Sequence, residues 1–198
     1  MYTFTDTIEQ PRGAERPAEA LSIDGVWLED VVPGYRTLYV SGRELLAQEI
    51  TLKEVGARNG ALFQRRRYPE RVITVGYQLI AATNAAFRSA FNQLCRLLDV
   101  EEARLIFADE PDKFFIGTPS GVGDIDPGRN AVTGAIEFTC ADPFKYSVEE
   151  YEAAPARGGT VTIAYNGTMP GFPVLCASFD NAAAGGSSDA VSYTHLRA

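Results

Sequence analysis

The chain has 198 residues, of which 45% are hydrophobic and 22% charged, the range of a folded globular protein with room for one full domain plus a fragment, or for two small domains. Its formal net charge of -8 argues against binding nucleic acid specifically, because affinity for phosphate backbones comes mostly from Lys and Arg. No run of about 18 apolar residues occurs, so no membrane-spanning helix is expected, and the polar start with Asp6, Glu9 and Glu15 does not read as a signal peptide.

Residues 1–20 are polar, contain Pro11, Gly13 and Pro17, and are expected as an arm or a loosely held edge. Leu21-Ser22-Ile23 and Val26-Trp27-Leu28 flank Asp24-Gly25, the strongest short signal for a tight hairpin. Residues 35–40 and 48–55 read as strands, and Arg58-Asn59-Gly60-Ala61 as a turn suited to positive φ. Residues 72–81 are the clearest strand, since Ile73, Val75, Tyr77 and Leu79 share one face by the period of two. The spacing predicts a helix over about 84–98 that packs on a sheet. Phe87, Phe91, Leu94 and Leu98 form its apolar stripe, Arg88, Asn92 and Arg96 lie away from it, and Thr83 or Asn84 caps its start.

Residues 103–108 and 113–118 read as two strands joined by a turn at Asp109-Glu110-Pro111-Asp112, and 120–130 as a Gly- and Asp-rich loop. Residues 132–140 form the last long strand, with Ile136, Phe138 and Cys140 facing one way, until Pro143 withdraws a ladder donor. Strands before and after one helix, without regular alternation, give an α+β class: a mostly antiparallel β-sandwich or barrel-like domain with one packed helix. That domain is expected over residues 1–150, followed by a linker at 151–159 and an incomplete β-sandwich at 160–190. Residues 191–198 resemble translated sequencing adapter and are set aside, and the sole histidine, His195, goes with them.

No chemistry stands out. Without His195 there is no histidine base, Ser-His or Cys-His pair, or His metal ligand. Asp109, Glu110 and Asp112 read as a solvated turn. Asp124-Ile125-Asp126-Pro127-Gly128 lacks the glutamate of a calcium loop, with Ala135 at its twelfth position. Gly121-Val122-Gly123 lacks the third glycine of a dinucleotide site, and Asn166-Gly167-Thr168 reads as a turn. Cys95, Cys140 and Cys176 form no CxxC pair and read as buried free thiols in a chain made in a reducing cytoplasm. No cofactor, no metal and no catalytic residue is expected. Two features could serve an interface. Arg65-Arg66-Arg67, with Arg71 nearby, is either a solvated loop or a docking contact to an acidic neighbour, and Trp27 is either core or an interface anchor.

In this order the landmarks resemble the distal tail protein (siphovirus tail component) family of long-tailed bacteriophages. They are Leu21-Ser22-Ile23-Asp24-Gly25-Val26, Arg58-Asn59-Gly60-Ala61, Arg71-Val72-Ile73-Thr74-Val75, Phe87-Arg88-Ser89-Ala90-Phe91-Asn92-Gln93-Leu94, the hairpin from Leu105 through Asp109-Glu110-Pro111-Asp112, and Cys140-Ala141-Asp142-Pro143-Phe144-Lys145-Tyr146-Ser147. The segment from Asn166 to Leu175 resembles the start of that family's galectin-like β-sandwich. The resemblance implies a structural virion protein made in the host bacterial cytoplasm. It would be a homo-hexameric hub at the distal end of the tail tube, contacting the tube protein, the tail tip protein and receptor-binding or baseplate proteins. A carbohydrate-binding or host-adhesion module of a phage tail is the alternative, resting on the partial sandwich.

Overall fold

Asp24 and Gly25 both adopt positive φ, 48° and 83°, and close the two-residue hairpin between β1 (Leu21–Ile23) and β2 (Val26–Trp27). The turn is tied to a distant strand, for Asp24 exchanges backbone and side-chain hydrogen bonds with the backbone of Arg104. The computed structural model describes residues 16–56, 59–123, 128–150, 165 and 167–169. The linker, the partial sandwich and the terminal segment with His195 therefore lie outside the described residues, as do Cys176 and the first 15 residues.

Leu28, expected at the end of a strand, instead opens a one-turn helix, α1 (Leu28–Val31). The Val32 N–H donates to the Leu28 carbonyl (2.9 Å), the i to i+4 bond of a helical turn, and both side chains are fully buried. Then come β3 (Tyr35–Ser41), β4 (Glu49–Glu54), β5 (Ala61–Arg67) and β6 (Arg71–Ile80). Helix α2 (Asn84–Leu97) starts at Thr83, whose hydroxyl accepts the Ala86 N–H, and it turns Phe87, Ala90 and Leu94 into the core. The chain finishes with β7 (Ala103–Phe107), β8 (Glu110–Val122), β9 (Ala131–Cys140) and the two-residue β10 (Tyr146–Ser147).

All pairings are antiparallel, and the main sheet runs β2-β1-β7-β8-β9-β6-β3, with β10 on the free side of β8. Strand β8 belongs to two halves. Its first part, to Gly117, pairs with β7, and its second part, from Thr118, pairs with β9. The bend between them is built from Gly117, Pro119 and Gly121, with a register shift between Pro119 and Gly121. Residues 120–122, expected as loop, are thus strand. The turn into β8 also comes earlier than expected, at Ala108-Asp109, because Glu110 already pairs with Phe107.

The bend lets the halves face each other over one core, a sandwich-like arrangement. Ile73, Val75, Tyr77 and Leu79 of β6 and Ile136, Phe138 and Cys140 of β9 are buried as their alternation predicts, against Leu21, Leu105 and Phe107 from the other half. The Tyr35 and Tyr77 rings stack 5.5 Å apart within this core. The α+β, mostly antiparallel, sandwich-like architecture with one packed helix is what the sequence predicts.

Candidate assembly interface

Besides the two-residue β10 on β8, the sheets of the described residues leave their hydrogen-bonding edges in three places, and the local chemistry treats each differently. At β3 two edge donors are capped by carboxylates. Glu29 accepts hydrogen bonds from the backbone N–H (3.1 Å) and hydroxyl (2.7 Å) of Thr37, and Glu19 accepts one from the N–H of Val40 (3.0 Å). Carboxylates on these two edge donors take N–H groups that an incoming strand would need. At β2 the edge is two residues long and ends in α1. Trp27 sits there half-buried beneath the guanidinium of Arg16, 4.7 Å from the ring centre, and Arg16 in turn pairs with Asp30.

The third place is the arm. Strands β4 and β5 pair only with each other and make a separate two-stranded sheet. Every residue of β5 is exposed, and of β4 only Thr51 is partly covered. Gly60, at φ 85°, closes the tip. The register opposes Glu49 to Arg67, Ile50 to Arg66, Thr51 to Arg65 and Leu52 to Phe63, so Gln64 is an unopposed bulge residue. Opposed residues share a face, so the arginines alternate, and the bulge brings Phe63 to the Arg66 side. Arg65 and Arg67 lie on one face, where Arg67 pairs with Glu49 (2.6 Å) and Arg65 reaches Thr51 (3.4 Å). Arg66 lies on the other face beside Ile50, Leu52 and Phe63, which are 59%, 57% and 62% exposed. That face is apolar at its centre and cationic at one end.

The arm's root is held as firmly as its blade is free. Gly42 leaves β3 at φ 89°, where an added Cβ would stand 2.0 Å from the Val72 carbonyl oxygen, so only glycine fits. Arg43 makes a two-pronged ion pair with Asp109 (both 2.8 Å), donates to Glu19 (3.1 Å) and stacks on Phe107. Burial works against its charge, yet the Asp109 and Glu19 carboxylates together more than compensate and raise its pKa. Arg71 donates to the carbonyls of Gly42 (2.5 Å), Glu44 (2.9 Å) and Pro143 (2.9 Å). The two legs are joined by Gln48 donating to the hydroxyl of Tyr68 (2.6 Å).

Arg65, Arg66 and Arg67, expected as a solvated loop or a docking contact, lie in strand β5. Arg71, grouped with them by proximity, is instead spent on backbone carbonyls. Cys140 is fully buried as expected, whereas Cys95 lies exposed on α2, because it falls on the polar side of the stripe. The edge-capping roles of Glu19 and Glu29 have no sequence signal, since their partners are 21 and eight residues away. No cluster of three or more metal-ligating side chains occurs among the described residues.

The two-layered antiparallel β-domain thus has carboxylate-capped donors on its β3 edge and one exposed hairpin tethered at its root. The chain belongs to the phage tail protein RIFT-related domain family, whose profile matches residues 26–140. It is a phage tail component. No curated protein matches the chain. Among solved structures it is similar in fold to the Dit protein of phage SPP1, described as a paradigm of hub adsorption apparatus in Gram-positive infecting phages. That match has a TM-score of 0.58 at 22% identity and covers 65% of this chain. The chain spans about half, 51%, of the SPP1 protein's length.

Proposed function

We propose that the protein is a structural, non-enzymatic hub of a phage tail, a hexameric ring at the distal end of the tail tube that joins the tube to tip, baseplate or receptor-binding proteins. Family membership supports a tail role, and the likeness to the SPP1 Dit fold supports a hub. The single observation that carries ring formation is the arm. An isolated two-stranded hairpin is marginal in water, and this one exposes Ile50, Leu52 and Phe63 on one face.

Its occupant in this proposal is a second copy of the same chain. Residues 49–67 hold five cations (Lys53, Arg58, Arg65, Arg66, Arg67) against two carboxylates, while the whole chain is net -8, so the arm is complementary in charge to every other copy's body. The receiving surface we assign is the β2 end, where Val26 and Trp27 lie beside Asp24 and Asp30. One patch meeting a different patch on the next copy is a heterologous contact, which makes a ring where its rotation closes and a filament where it does not. Mass photometry and negative-stain imaging of the full chain test this. Sixfold particles that are annular, and that fall to monomer in Phe63→Asp and in the triple reversal of Arg65, Arg66 and Arg67 to Glu, are the expected result. A wild-type chain monomeric at every concentration overturns it.

A further inference from the structure

Two independent contacts connect the arm's root to the segment by which the chain leaves the domain. The first is Arg71, at the start of β6. Its Nη1 donates to the carbonyls of Gly42 and Glu44 on the arm side, and its Nε donates to the carbonyl of Pro143 on the exit side. One rigid, planar guanidinium thus holds two segments about 100 positions apart in the chain. The second is aromatic. Tyr68, on the returning leg of the arm, meets Phe144 edge-on with ring centres 5.3 Å apart, and the Tyr68 hydroxyl accepts from Gln48 on the outgoing leg. The exit segment is itself well fixed. Asp142 accepts the Phe144 N–H and bonds the Tyr146 hydroxyl, Lys145 pairs with Glu110, and Tyr146 and Ser147 join β8 as β10.

Neither contact is needed to close a sheet or fill the core. Arg71 gives its donors to three carbonyls that belong to no ladder. We propose that Arg71 and Tyr68 form a coupling joint, through which the position of the arm and the position of residues 143–147 are set together. Its functional meaning rests on the docking role given to the arm above: seating the arm on a neighbour would then bias where everything downstream of residue 147 is held. Coupling of this kind is reciprocal, so a disturbance on either side must be felt on the other.

Amide hydrogen exchange of the full chain, followed by mass spectrometry on the monomeric fraction, tests the joint without any ring. Glu44→Ala removes the carboxylate that accepts the Gly42 N–H and disturbs only the arm side. Asp142→Ala removes the carboxylate that accepts the Phe144 N–H and the Tyr146 hydroxyl and leaves the Tyr68 and Arg71 contacts in place, so it disturbs the exit side. The expected result is crossed: several-fold faster exchange at 144–148 in Glu44→Ala, and at 42–48 in Asp142→Ala. In an Arg71→Lys, Tyr68→Leu background, which keeps charge and bulk, each disturbance speeds exchange only on its own side. Crossed effects absent from the wild-type background, or unchanged in the double variant, overturn the proposal. A ring that fails to form while the crossed effects persist would count against the arm's docking role and leave the joint standing.

Discussion

At the residue scale the sharpest consequences belong to Cys140 and Gly42. Burial between the sheets pushes the Cys140 thiol up to about 11 from an ordinary value of 9.0, an effect that nearby Arg71 only partly offsets. The folded protein therefore keeps a proton that the unfolded chain has lost in that window. Stability contributed by the neutral thiol is intact below pH 9 and falls as pH rises to 11, by about 2 kcal/mol. Urea titrations at pH 8.5 and 10.5 should show this loss in the wild type and a smaller one in Cys140→Ala. A disulfide reagent at pH 8 should label Cys95 in the native state and reach Cys140 only on unfolding. Gly42→Ala combines a disfavoured φ with a Cβ inside the Val72 carbonyl, and should cost about 2–4 kcal/mol in thermal or chemical denaturation. That Cys140 is buried could be read from its place in the Ile136, Phe138, Cys140 alternation. Nothing in the sequence near Gly42 announces a carbonyl that arrives from Val72.

At the element scale, strands with one wet and one dry face were readable, as was the exposed β4, expected over residues 48–55, whereas β5 was not. The β6 alternation states its register outright. Strand β5 reads Ala-Leu-Phe-Gln-Arg-Arg-Arg, and its period of two is broken because Gln64 bulges and shifts the faces on either side. Since both its faces are exposed, burial imposes no pattern either. The same reasoning covers the end of β8, where Pro119 and Gly121 look like a loop and in fact make a bend. Edges are a related case, because their chemistry comes from elsewhere. Replacing Glu19 and Glu29 with Ala should uncover the Thr37 and Val40 donors, lower stability by about 1–3 kcal/mol and produce self-association that is irregular rather than annular. Sedimentation velocity would distinguish the two. Normal monodisperse behaviour of that double variant would mean the carboxylates do not guard the edge.

For the whole molecule, one core is shared by both halves of the sheet, so unfolding should be a single event. Phe138, fully buried on β9 and opposite Pro119 of β8, is a fair place to strike, and Phe138→Ala should cost about 3–5 kcal/mol. The fluorescence of Trp27, the sole tryptophan and at the far end of the sheet order from β3, should then shift its midpoint together with far-UV circular dichroism. Separate midpoints would mean the halves melt independently. The switch of β8 from β7 to β9 carries a last consequence, for how such a chain can change length over generations. A residue gained or lost within 113–118 would have to be absorbed by two registers at once, since Phe114 and Gly117 are counted against β7 and Thr118 against β9. The arm's tip has no second bookkeeper: a Cβ at Gly60 meets nothing within 4 Å. Related chains should therefore differ freely in the number of residues between β4 and β5 while holding the length of β8 constant, and a short peptide inserted after Gly60 should leave the melting temperature of the domain unmoved.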